Sequence, residues 1–414
     1  MRKPAAPAFR MPPAIPMSPV SPLPAVVIVL IAAAIGASLG RWLGTAGPQG
    51  RYATIDGLRG YLALFVFLHH SCIWYNYLHA NLWAVPSSSL YTHLGQDSVA
   101  TFFMITGFLF IGKLLDARSK PMDWDRLYVS RLLRLWPLYL AAIAGLVAIV
   151  AWLSGGSLRV SGPGLGKSLV KWLTFTVLGA PDINGVTDTY LIIAGVTWSL
   201  PYEWFFYLTL PLIGRGLGVR TPIRHLVVGA CAVSAFLWWR PNLLNTLSFA
   251  GGIAAAAASR YPSVRRLAQT RLSSLAILAC VVLSMTVSPS YGYASLCLLS
   301  AAFVPIACGN DLFGILTAAC SRTLGEMAYS LYLLHGLLLF TLFELVIGRE
   351  TASAFAPLTH WFAVVALAPV LVLLSALTYR WIERPALART DAVTGWLRAR
   401  LRRAAPDRRP EAIG

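Results

Sequence analysis

Apolar residues run along this chain in long stretches broken by short polar and basic segments, without the strict alternation of half-buried strands. A helix needs about 20 mainly apolar residues to cross the hydrocarbon core of a bilayer. From Leu58 onward ten stretches approach that length, near residues 58–78, 97–117, 133–153, 197–214, 223–239, 243–258, 272–288, 293–309, 325–347 and 358–381. The pattern predicts an all-α fold, a polytopic transmembrane helical bundle with a ten-helix core. An earlier stretch, Ala25 to Gly40, is short for a full crossing. It reads as a signal anchor, an extra helix or a tilted interfacial segment.

Composition agrees with that class. Of 414 residues 57% are hydrophobic and only 12% charged, with a mean hydropathy of +0.65; a soluble domain carries about twice that charge. A secreted disulfide scaffold, a coiled coil and a soluble multidomain enzyme are excluded, because small water-facing cores cannot hide such runs. The net charge of +18 would suggest nucleic acid in a soluble chain. Here it follows the positive-inside rule, and no nucleic-acid partner is expected. With the start of the first core helix in the cytoplasm, the basic stretches at 112–134, 213–225, 259–271 and beyond Arg380 fall on one side. Arg159, Lys167, Lys171, Arg240 and Arg349 are left on the other. The chain is thus expected as a multi-pass protein of the inner (plasma) membrane. Its basic tail, with Arg2, Lys3 and Arg10, fits that orientation only if the 25–40 stretch does not cross.

Three regions follow: a Pro-rich basic tail with a short hydrophobic segment at 1–50, a transmembrane domain at 51–386, and a basic cytoplasmic tail at 387–414. The longest loop, 154–196, is extracytoplasmic in this arrangement, and a loop of that length suits the roof of a cavity. Six cysteines lack C-x-x-C spacing and read as small buried hydrophobes; no metal-ligand pattern is present.

Ionisable groups inside apolar runs are costly, which makes each a candidate site residue. Arg59 and His70 are eleven residues apart, about 1100° around a helix and so on one face, with a rise of about 16 Å. Arg59 at the cytoplasmic boundary therefore puts His70 near the midplane, where an imidazole can act as base or nucleophile. Arg131 and Arg134 share a face at the start of another helix, a fork suited to phosphates; ordinary anchoring at the membrane surface explains them equally well. Glu203 stands in an aromatic run with no neighbouring cation and needs a partner, for which His70 is a candidate. His335 is a second intramembrane imidazole, with Glu326 and Glu344 nearby as interhelical hydrogen-bond partners.

In order along the chain, these residues belong to six short motifs. They are Asp56-Gly-Leu-Arg59-Gly followed by His70; Phe102-Phe103-Met-Ile-Thr106-Gly-Phe108; Arg131-Leu-Leu-Arg134-Leu-Trp-Pro137; Trp198-Ser-Leu-Pro-Tyr-Glu203-Trp-Phe-Phe-Tyr207; Ser330-Leu-Tyr332-Leu-Leu-His335; and Tyr379-Arg-Trp-Ile-Glu383-Arg-Pro385. The series resembles the acyltransferase-3 family of integral membrane acyltransferases, over about Tyr52 to Pro385. Ala100, Thr106, Trp204 and Phe205 depart from the usual pattern and bear on acceptor preference. The resemblance implies O-acyl transfer, acetyl first among the groups, from cytoplasmic acyl-CoA to a hydroxyl of an extracytoplasmic or lipid-linked glycan. Acyl-CoA is then a donor substrate and no cofactor is permanently bound. His70 and Glu203 are implied as catalytic, and Arg59, Arg131 and Arg134 as donor-binding. Asp56, Phe103, Thr106, Trp198, Tyr207 and His335 support them. Implied partners are the lipid bilayer, the glycan acceptor and a polysaccharide synthesis machinery of the cell envelope. Succinyl or other acyl transfer to a glucan or small natural product is an alternative within the class; a proton-coupled transporter or lipid translocase is one outside it.

Overall fold

A computed structural model describes residues 17–45, 52–119, 121–239, 241–287 and 292–404, and these are helical with no strand among them beyond one isolated bridge between Ile183 and Val186. The helices are α1 (Leu23–Leu43), α2 (Ala53–Ala80), α3 (Ser89–Asp116), α4 (Trp124–Leu153), α5 (Gly162–Leu173), α6 (Leu200–Gly216), α7 (Ile223–Trp239), α8 (Leu243–Ala258), α9 (Pro262–Ala268), α10 (Arg271–Val287), α11 (Tyr293–Ala307), α12 (Ala319–Glu326), α13 (Ala328–Phe340), α14 (Arg349–Ser353), α15 (Pro357–Thr378), α16 (Arg384–Ala388) and α17 (Thr390–Ala404). Among the described residues five stretches are each long and apolar enough to cross a bilayer: α1, α3, α4, Ala328–Val346 and Pro357–Ala388. Helix α2 is about 42 Å long at 1.5 Å per residue but dilutes its apolar positions with Asp56, Arg59, His69 and His70. Helices α7, α8 and α11 are shorter apolar helices, and α9 and α10 form a pair bent by 74°.

All ten expected stretches are helical in the main, with boundary shifts that have local causes. Helix α4 begins nine residues before 133 because the Asp123 carboxylate accepts the Arg126 N–H at 3.0 Å and caps it there. The 325–347 stretch is broken at Met327 between α12 and α13 and loosens into a π-turn over Thr341–Val346. Helices α3 and α8 pack closely because the crossing is built from glycines: a Cβ on Gly252 would lie 1.9 Å from the Met104 carbonyl oxygen, and one on Gly107 2.6 Å from that of Phe249. Without a hydrophobic drive between helices in lipid, such small-residue approach is what dispersion packing needs.

The segment near 25–40 is a 21-residue helix that runs the length of the bundle. Ahead of it, the Pro19 carbonyl accepts from Trp361 Nε1–H at 2.9 Å and the Ser21 carbonyl from the Tyr91 hydroxyl at 2.7 Å, near the starts of α15 and α3. At its other end Arg384 donates to the Leu43 carbonyl at 3.0 Å, and Arg380 donates to that of Trp42. Tied to the bundle at both ends, α1 is also long and apolar enough to cross a bilayer, which runs against the condition set by the basic tail. The tail residues Arg2, Lys3 and Arg10 lie outside the described residues, as do 46–51 and 405–414. Beyond the expected limit of the membrane domain at 386, α17 is docked on α4. Arg126 pairs with Asp391 at 2.6 Å, and Arg398 pairs with Asp123 and, at 3.3 Å, with Asp125.

Candidate active site

The site consists of cavities toward the two ends of the bundle, with paired histidines between them. At the basic end, α2, α3, α4, α6 and α13 enclose a cavity of about 120 Å³ with Arg59, Arg131, Arg134 and Glu203 in its polar wall and Phe103, Thr106 and Tyr207 beside them. Most of its remaining lining is apolar and aromatic. Arg59 is ion-paired with Asp56 one turn below it. Arg134 faces the fully buried Glu383 at 3.7 Å, and the Ser330 hydroxyl donates to the same carboxylate. Arg131 lies over the Phe110 ring at 5.2 Å and has no carboxylate within 4 Å among the described residues. Of the three guanidiniums, Arg131 is thus the one left for an incoming anion, with the other two raising the local positive potential.

Glu203 accepts the Tyr207 hydroxyl at 2.9 Å, one turn along α6, and lines this basic cavity. It is not a hydrogen-bond partner of His70, as the sequence had suggested, because Tyr207 satisfies it and the imidazole has other partners. His70 Nδ1 lies 3.1 Å from the Val66 carbonyl oxygen and 3.0 Å from His335 Nε2. His335, fully buried on α13, has its own Nδ1 3.2 Å from the Leu331 carbonyl oxygen. One tautomer assignment satisfies all three contacts. His335 Nδ1–H donates to Leu331, its Nε2 lone pair accepts from His70 Nδ1–H, and that same N–H is shared with Val66. The opposite assignment sets bare nitrogen lone pairs against both carbonyls. His70 is therefore left with an unprotonated Nε2, the form a general base requires.

His70 lines a second cavity of about 400 Å³ toward the other end of the bundle, with Trp83, Gln96, Tyr190 and Trp198. His69, 100° away, is buried and bonded at 2.8 Å to the Tyr91 backbone carbonyl, a packing role. The long loop supplies part of this cavity's wall. It is anchored by Tyr139, whose hydroxyl donates to the Trp172 carbonyl at 2.6 Å, and by Trp172 Nε1–H donating to that of Pro181 at 2.8 Å. Its backbone reaches α13 beside His335 because residue 336 is glycine: a Cβ there would sit 2.3 Å from the Ile193 carbonyl carbon. Tyr332 stands between the cavities. It lines the basic one, donates to the Val196 carbonyl at 3.0 Å and meets the His335 ring edge-on at 6.2 Å between centroids.

Two groups of residues were not among the site residues read from the sequence, although Glu383 stands in the last of the six motifs. Glu383 pairs with Arg134, and the signal was present: a carboxylate following an apolar run, as at Glu203. Gln96, Trp83 and Tyr190 gave no signal, since they meet His70 only through tertiary packing. Glu326 accepts from the Tyr379 hydroxyl at 2.7 Å and lies within electrostatic reach of Asp56 and Arg59, behind the wall of the basic cavity, while Glu344 pairs with Arg349 at 2.6 Å; neither lines the basic cavity or the His70 cavity. No group of three or more metal-ligating side chains occurs among the described residues.

Comparison with known proteins converges on the same span. The model of a family described as an acyltransferase domain matches residues 52–380. The acyltransferase MdmB of Streptomyces mycarofaciens is 28% identical over 320 residues, which is 69% of this chain and 78% of that protein. Nodulation protein 10 of Rhizobium leguminosarum bv. viciae is 28% identical over 186 residues, 40% of this chain and 47% of that protein. No solved structure matches.

Proposed function

This chain belongs to the acyltransferase-3 family, and from that premise we propose that it is a membrane O-acyltransferase moving an acyl group, acetyl first among them, from acyl-CoA to a glycan hydroxyl. The basic cavity takes the donor from the cytoplasm, its phosphates meeting Arg131 with Arg59 and Arg134 behind it. The thioester arm passes the apolar lining and Tyr332 toward His70. The acceptor reaches His70 from the other cavity. His70 Nε2 removes the hydroxyl proton as the oxygen attacks the thioester carbonyl; the carbon–sulfur bond breaks, and the imidazolium returns the proton to the departing thiolate. Ester and free thiol are the products. His335 holds the ring in the reactive tautomer, the part a carboxylate plays in a Ser-His-Asp triad. Glu203, bonded to Tyr207, serves the donor side, where it lines the cavity with Arg131 and Arg134.

The reading rests chiefly on one arrangement: an imidazole with a bare Nε2, fixed by a second buried imidazole, set between an arginine-lined cavity and an open aromatic one. Supplying labelled acetyl-CoA and succinyl-CoA separately to membranes with and without the protein tests it. Alkali-labile label in glycan from acetyl-CoA, dependent on the protein, is the expected result. Label from succinyl-CoA alone would move the assignment to the other donor, and label from neither would overturn acyl transfer to glycan.

A further inference from the structure

A third cavity of about 410 Å³ adjoins the His70 cavity and shares three wall residues with it, Tyr190, Gly195 and Trp198. Each is of the size that holds a small-molecule ligand, for which about 300–1,000 Å³ is usual. Trp239 and Tyr202 line the third cavity. Trp198 is 42% exposed and Trp239 50% exposed, so aromatic faces are left uncovered by protein along both cavities. Gln96 lines the same cavity, and its buried Oε1 has no hydrogen-bond partner. A buried unpaired carbonyl is costly and is satisfied when a ligand donates to it.

These features select the ligand's chemistry. A lipid tail would leave Gln96 Oε1 and His70 Nε2 unsatisfied, and a fully polar ligand would waste the aromatic faces. A pyranose ring has both apolar C–H faces and hydroxyls around its edge. We propose that the two cavities form one acceptor groove with two ring subsites. In the first, the hydroxyl to be acylated lies between His70 Nε2 and the Gln96 side-chain amide; in the second, the neighbouring ring packs against Trp239. The acceptor is thus recognised as at least a disaccharide, with Gln96 a positioning residue and Trp239 a specificity residue. This rests on the acyl-transfer reading only for the role given to His70.

Equilibrium binding to the purified full chain tests the groove without requiring turnover. The probes are labelled methyl glycosides of glucose, galactose and mannose and the corresponding β-linked disaccharides. At least one disaccharide is expected to bind 10-fold or more tightly than its monosaccharide. Trp239→Ala, or Ala180→Trp filling the third cavity, removes that gain and leaves monosaccharide binding unchanged, which also reports that the variant is folded. Gln96→Leu weakens both probes alike, and in turnover raises the acceptor KM without changing that of the donor. No binding by any probe, no gain from the second ring, or equal weakening of both probes by Trp239→Ala would overturn the proposal. Binding as expected with no acyl-CoA consumed would instead overturn the acyl-transfer reading and leave the groove standing.

Discussion

Replacing Arg134 by Met separates what that guanidinium does for the fold from what it does for the donor. Glu383 is fully buried and its cation is Arg134, itself only 15% exposed. Removing one member of a buried pair usually costs about 3–5 kcal/mol, because a charge is left uncompensated. Here the 3.7 Å separation is too long for a direct hydrogen bond, and Glu383 Oε2 has none from any other group. The lower end, about 3 kcal/mol, is therefore expected. The double variant Arg134→Met/Glu383→Gln removes the stranded charge and should recover most of that loss. Donor affinity should not recover with it: Arg134 acts on the phosphates through its charge from behind Arg131, so the KM for acyl-CoA should rise, but by less than the roughly 10-fold that the weakest direct charge-assisted contact, about 1.5 kcal/mol, would give. Thermal unfolding in detergent and initial rates over a range of acyl-CoA concentrations give the two numbers. A double variant with wild-type KM would show that Arg134 is purely structural. A single variant as stable as wild type would show that the pair carries no buried charge.

Three further outcomes follow from the same geometry. His335→Phe keeps a buried ring but removes one of the two acceptors for His70 Nδ1–H, leaving the Val66 carbonyl; steady-state kinetics should show kcat down about 2- to 13-fold, the net value of one hydrogen bond at about 0.5–1.5 kcal/mol, with the KM for acyl-CoA unchanged. Gly336→Ala drives a Cβ into the Ile193 backbone; an overpacking cost of about 1–3 kcal/mol is expected, with faster proteolytic cleavage in the 154–199 loop. The Arg126 hydrogen bond holds Asp391 below the usual carboxylate range. A depressed pKa contributes above the unfolded value and is lost as pH falls through the folded one, so docking of α17 should not change between about pH 5 and 8, read by protease protection of the 390–404 segment.

Most of the fold was legible because the bilayer makes hydrophobic run length nearly a direct reading of helices. What the runs could not show was where they break: the break at Met327 falls two residues after Gly325, where α12 lies so close to α2 that a Cβ would sit 1.8 Å from the Asp56 carbonyl oxygen. Helix α1 was ambiguous because Leu23 and Pro24 at its start and Arg41 to Leu43 at its end extend a 16-residue apolar run to 21. At the site, Arg59, His70, Arg131, Arg134 and His335 were singled out as charges in apolar surroundings. Their pairing was not legible. His70 and His335 are 265 positions apart, and Glu203, the partner proposed for His70, is satisfied by its own helix neighbour Tyr207. Polar residues of ordinary appearance, such as Gln96, gain meaning only from the cavity that surrounds them.

The claim at the centre is that His70 Nε2 is the base of an acyl transfer. Inverted membrane vesicles carrying wild type or His70→Ala, given labelled acetyl-CoA, test it most directly, with label followed into CoA-free product. Transfer by wild type and a loss of about 100-fold or more in the variant is predicted, the usual scale of general base catalysis. Equal transfer by both proteins would contradict it.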